Sequence, residues 1–172
     1  VVPWFSELYS PLLPPLFEGL GIDASVLPPQ NQRSTDIGLE FVHNDMCYPA
    51  IILIGDVLKA FVEKRYAPET TAVLMTQTGG QCRATNYVPL AKKALAAAGF
   101  PEVDVPTFGV EDFNTAGFSV NKIEAAQGLL NGLLGGDILA SLYLATAPRE
   151  NIQGSAKALH GQFLYRLGAL LR

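Results

Sequence analysis

The sequence predicts an α/β fold: a three-layer sandwich with a short parallel, flavodoxin/Rossmann-like sheet plus C-terminal helices. Three observations carry that expectation. Thr71 to Thr76 is a continuous apolar run, the pattern of a central parallel strand covered on both faces. Extended and helical patterns alternate as strand–helix–strand–helix–strand–helix–strand, an order that calls for a parallel sheet with right-handed crossovers. The last third then turns helical throughout. The expected organisation is an α/β cysteine-bearing domain over 1–110 and a helical extension over 111–172 packed on it. Together these form one structural unit within a chain of 172 residues.

Val1 to Pro3 reads as the end of a strand, as in a fragment of a larger chain. Leu16, Phe17 and Leu20 follow at helical spacing, with Pro14 and Pro15 tolerated in the first turn and Gly21 as the stop. Asp23 to Leu27 reads as a short strand closed by Pro28 and Pro29, and Ser34 or Thr35 as the cap of a short helix over 37–42, with a strand there as the alternative. Pro49 suits the first turn of a helix running to about Arg65, whose early residues are apolar on every side. Asn86 to Ala98 is amphipathic through Val88, Ala91 and Leu95, with Gly99 ending it, and Val103 to Gly109 is a further strand.

Lys122 to Ala147 is strongly apolar, with glycines at 128, 132 and 136. Gln127, Asn131, the Gly135-Gly136 pair and Asp137 interrupt it before the ~20 apolar residues a membrane span requires, so a buried, broken helix is expected and no membrane. Asn151 to Leu171 forms the last helix.

Charged residues make up 16% of the chain, against about 25% in an average soluble domain. Part of the surface is therefore expected to meet another domain or chain. A net charge of −4 and the lack of any basic cluster exclude nucleic acid as the main partner. Two cysteines and no signal-peptide pattern point to a reducing, cytoplasmic setting.

The chemistry-bearing stretch is Gln77-Thr78-Gly79-Gly80-Gln81-Cys82-Arg83-Ala84-Thr85-Asn86-Tyr87. Gly79 and Gly80 let the backbone turn sharply and leave room beside it for a bound group. A cysteine at a helix start next to Arg83 has the surroundings that favour a thiolate, as ligand or nucleophile. Cys47, in His43-Asn44-Asp45-Met46-Cys47-Tyr48-Pro49, has the same placement, with the Ala50 and Ile51 N–H groups expected to point at its sulfur. Asp45 reads as a cap for that helix. His43 and His160 have no metal-ligand partners at helical spacing. The phosphate-loop and dinucleotide fingerprints are absent, and no Ser/His/Asp pattern supports hydrolysis.

Both cysteine stretches resemble segments of the large acyl-CoA dehydratase activase-related proteins, relatives of the activator and cluster-carrying subunits of (R)-2-hydroxyglutaryl-CoA dehydratase. The likeness continues through Lys92-Lys93-Ala94-Leu95 and Ala98-Gly99-Phe100 and resumes around Gly154-Ser155-Ala156. His43 and Gln81 stand where the family pattern has asparagine and glycine. The resemblance implies an iron–sulfur module of an anaerobic system that couples ATP hydrolysis to low-potential electron delivery. Cys47 and Cys82 match the family's cysteine positions as ligands of a [4Fe–4S] cluster, with Gly79, Gly80 and Arg83 around it. The ATPase motifs do not occur, so no turnover is expected of this segment alone. The implied partners are the remaining domains of the parent chain or a dehydratase component, with acyl-CoA as a possible ligand. Two other readings stay open: a non-catalytic docking or acyl-CoA-binding module with reduced, unligated cysteines, and a redox-active Cys47–Cys82 disulfide, which needs Cα atoms within about 7 Å.

Overall fold

The computed structural model describes residues 1–76, 82–108 and 121–172. They fall into two compact units that interleave along the chain. The first comprises Val1–Trp4 with Leu27–Phe118, the second Phe5–Val26 with Ser119–Arg172.

The first unit is built on three helices, α2 (Gln32–Phe41), α3 (Tyr48–Val62) and α4 (Tyr87–Ala97). Helix α2 starts one turn earlier than its capping residues suggest. Asn31 is the N-cap: its side chain accepts the Ser34 N–H at 3.2 Å, while the Ser34 hydroxyl accepts the Asn31 N–H at 3.3 Å. Helix α3 carries Pro49 in its first turn, where a missing N–H costs nothing. The two helices cross at backbone contact. A methyl group on Gly38 would collide with the Ile51 carbonyl, and one on Gly55 with the Ser34 carbonyl. Ile37, Ile54, Val57, Leu58 and Phe61 then fill the core with Val73, Val88, Leu95 and Val105.

The expected three-layer α/β sandwich is not what the chain adopts. The described residues are mostly helical, and their strands are two residues each: β1 (Met75–Thr76) and β2 (Thr107–Phe108), paired in parallel. The apolar run Thr71 to Thr76 is buried through Val73 and Met75 without becoming a long ladder strand. Its neighbour explains why. Pro106 has no N–H to give, and the Val105 N–H donates to its own neighbour, the Asp104 carboxylate, at 2.9 Å. Isolated backbone bonds remain beside the strand pair, from Val73 N–H to Asp104 at 2.8 Å and from Leu74 N–H to Val1 at 2.8 Å. The stretch expected as a strand over 23–27 contributes a single bridge residue.

The second unit comprises a 3-10 turn (Ser10–Leu12), α1 (Leu13–Gly19), α5 (Lys122–Thr146) and α6 (Ser155–Leu171). Helix α5 runs unbroken for 25 residues, straight through Gly135-Gly136. Its glycines are contact positions: Gly128 faces Leu16, Gly135 faces Leu167, and Gly136 faces Tyr9 and Leu12. Close packing there supports the helix against the roughly 1 kcal/mol each glycine costs. The expected burial is not found, because Leu130, Leu133, Leu134, Ile138, Leu142 and Leu144 are all exposed. By length and composition alone, the stretch Ile123–Arg149 is able to cross a membrane, and only 17% of its most apolar window is buried.

Candidate functional site

Cys47 and Cys82 belong to the same unit, and each occupies an N-cap. Cys47 precedes α3 with φ −62° and ψ 142°. Cys82 precedes the 3-10 turn Arg83–Asn86, which runs directly into α4, with φ −76° and ψ 143°. The same extended backbone thus presents both side chains at the start of a helical turn, where main-chain N–H groups cluster. Those of Ala50 and Ile51 do not turn to the Cys47 sulfur. They bond its carbonyl at 2.9 and 3.4 Å, and the thiol makes no cap hydrogen bond. Cys47 is half-buried, Cys82 is exposed, and neither is in a disulfide.

Tyr87, the first residue of α4, ties that helix to Cys47. Its hydroxyl lies 3.1 Å from the Cys47 sulfur. Burial above all, then the hydrogen bond to Cys47 and the negative potential of the Cys47 and Cys82 sulfurs, push the phenol up to about 12. A phenol that holds its proton this firmly is the donor toward a thiolate at Cys47. Asn86 is the N-cap residue of α4, without a side-chain cap bond. Nothing in a one-dimensional pattern links Tyr87 to a thiol 40 positions away.

Gly79, Gly80 and Gln81 lie outside the described residues, and Arg83 opens the 3-10 turn. Asp45 does not cap α3; it sits with His43 on an exposed loop, its carboxylate 3.3 Å from the imidazole Nδ1. Two N-cap thiols in one unit supply half of the four thiolates a [4Fe–4S] cluster takes. Among the described residues, no group of three or more Cys, His, Asp or Glu side chains is placed to hold a metal ion. The residues present therefore fit as part of a ligand set.

A second polar cluster in this unit was missed by sequence reasoning. Lys59 Nζ sits 2.7 Å from Asp56 Oδ1 and donates to Ser34 Oγ at 2.7 Å, and Ser34 donates to Asp56 Oδ1 at 3.1 Å. All three side chains are buried, and Asp56 Oδ2 has no hydrogen-bond partner. The signal was present: an acid and a base three residues apart inside the otherwise apolar α3 must meet one another if that face is buried. Enclosed as it is between α2 and α3, the cluster ties helix to helix and offers no surface to a substrate.

The chain matches no family model, no curated protein and no solved structure.

Proposed function

We propose that this chain is a module of an activase-related, 2-hydroxyacyl-CoA dehydratase-like protein, in which Cys47 and Cys82 help ligate an iron–sulfur cluster for low-potential electron transfer. The observation that supports this reading is the placement of both thiols at N-caps within one unit, with the Tyr87 hydroxyl 3.1 Å from the Cys47 sulfur. Helix N-termini favour anionic groups, so the starts of α3 and of the turn leading into α4 would stabilise thiolate ligands. Tyr87 would donate a hydrogen bond to the Cys47 sulfur and hold its orientation. When bound, the cluster would supply one-electron chemistry; this chain would bind and orient it. The remaining ligands would come from the other domains of the parent protein or from a dehydratase component, in a reducing cytoplasm.

A second reading rests on the lack of a third ligand among the described residues. In it the module docks a partner or an acyl-CoA, and the thiols stay reduced. Anaerobic reconstitution with iron and sulfide separates the two. Ligation predicts a brown protein whose visible absorption is lost in both Cys47→Ser and Cys82→Ser. A colourless product that retains neither iron nor sulfide favours docking.

A further inference from the structure

The two halves of α6 are held to the second unit by different means. The later half packs closely: Leu167 lies against Gly135, Gly168 against Pro15, and Leu171 against Gly132. The earlier half has far less to hold it. Over residues 155–163, His160 is buried, Ala156 is half-buried and every other residue is exposed. His160 is 9% exposed, its ring centroid is 5.0 Å from that of Tyr143 on α5, and its Nε2 has no hydrogen-bond partner. The residue seated in the core of this half is therefore one that can gain a charge just below neutral pH.

Gly161 comes next in the chain, and it differs from the other glycines of α5 and α6. Gly128, Gly132, Gly135, Gly136 and Gly168 all sit against a neighbouring side chain, whereas a methyl group on Gly161 would meet nothing within 4 Å. Packing does not call for glycine there. Glycine is the poorest helix former after proline, so α6 is weakest directly behind its buried imidazole.

We propose that residues 155–160 form an acid-released arm, latched by His160 against Tyr143 and hinged at Gly161, which detaches when the imidazole is protonated while residues 164–171 stay packed. The surroundings give an imidazolium no counter-ion. From α5 the facing group is the neutral Tyr143 phenol. On α6 itself Lys157 lies one turn earlier, so a second cation arrives beside one already present. Of the carboxylates on adjoining segments, Glu7 is engaged by Lys157 at 3.0 Å, and Glu150 accepts the Gly154 and Ala156 N–H groups at 2.6 and 2.9 Å. Arg149, in the connection from α5, is turned to the Ala145 carbonyl at 2.9 Å. A charge there is best satisfied by water, which the arm reaches by opening. Burial already holds this imidazole below its usual range, the direction that such a latch requires. The device lies wholly in the second unit and is independent of the cysteine site.

Hydrogen exchange read by mass spectrometry on the full chain tests the arm, after correction for the intrinsic pH dependence of exchange. A free imidazole titrates near 6.5, so one pH unit below that raises opening by at most about tenfold. Between pH 7.5 and 5.5, protection over 155–160 is expected to fall several-fold toward that ceiling, with 164–171 and α5 unchanged. His160→Phe is expected to abolish the step, and Gly161→Ala to raise protection of the arm at both pH values. A second readout leaves the latch intact: the His160 imidazole, told from His43 by a His43→Asn protein, is expected to titrate below its midpoint in the denatured chain. Unchanged protection over 155–160 at pH 5.5 overturns the proposal. So does an equal loss throughout the second unit, a pH step that survives in His160→Phe, or a His160 midpoint equal to that of the denatured chain.

Discussion

The Tyr87 hydroxyl sits 3.1 Å from the Cys47 sulfur, so a residue that opens α4 is tied to one that caps α3. Replacing it with phenylalanine removes the donor and keeps the ring. Hydrogen bonds to ligating sulfurs raise a cluster's potential, so reconstituted Tyr87→Phe protein should be harder to reduce by on the order of 50 mV. Redox titration followed by visible absorption checks this. An unchanged potential would mean that the hydroxyl does not act on a ligating sulfur.

The same phenol gives an alkaline signature. Tyr87 holds its proton more tightly in the folded protein, where it is pushed up to about 12, than in the unfolded chain near 10. Its contribution to stability is therefore fully present below pH 10 and is lost as pH rises toward about 12. Alkaline unfolding followed by circular dichroism, together with phenolate absorbance, should show Tyr87 ionising late. Tyr87→Phe should lose that step and unfold with a weaker dependence on pH in this window.

Lys59 and Asp56 are 3% and 0% exposed at the α2–α3 crossing. Asp56→Ala leaves a buried cation without its partner and should cost about 3–5 kcal/mol, measured by urea denaturation. Removing both charges in Asp56→Leu/Lys59→Met should recover most of that loss. A double variant as unstable as the single one would show that the ion pair does more than neutralise itself.

His160 is buried against Tyr143, with ring centroids 5.0 Å apart, and its Nε2 has no hydrogen-bond partner. Burial holds the imidazole below its usual range near 6.5. The unfolded chain therefore takes up the proton more readily, so stability is present above pH 6.5 and declines as pH falls below it. Thermal melts from pH 7.5 to 5 should show a fall that His160→Phe flattens.

The helices were legible because burial imposes a 3.6-residue period that survives in one dimension: Val88, Ala91 and Leu95 mark α4, and Pro49 marks the start of α3. The sheet was misread because an apolar run reports burial without reporting a ladder. Whether Thr71 to Thr76 finds hydrogen-bonding neighbours depends on Pro106 and Asp104, some thirty positions away. Helix α5 was read as broken because glycine's intrinsic cost was weighed without the side chains that pack on it. At the candidate site, Pro49 marked the helix start after Cys47, and the helical pattern that follows Cys82 marked the other. Tyr87, and the mutual solution of Ser34, Asp56 and Lys59, needed three dimensions.

The crossing of α2 and α3 at Gly38 and Gly55 has one more consequence. With main chain seated on main chain, neither helix can roll or slide past the other without a collision of peptide groups. The cap of α3 is carried on that rigid mount, so the half-buried Cys47 thiol keeps a fixed address. Any group held by Cys47 would find that anchor already set.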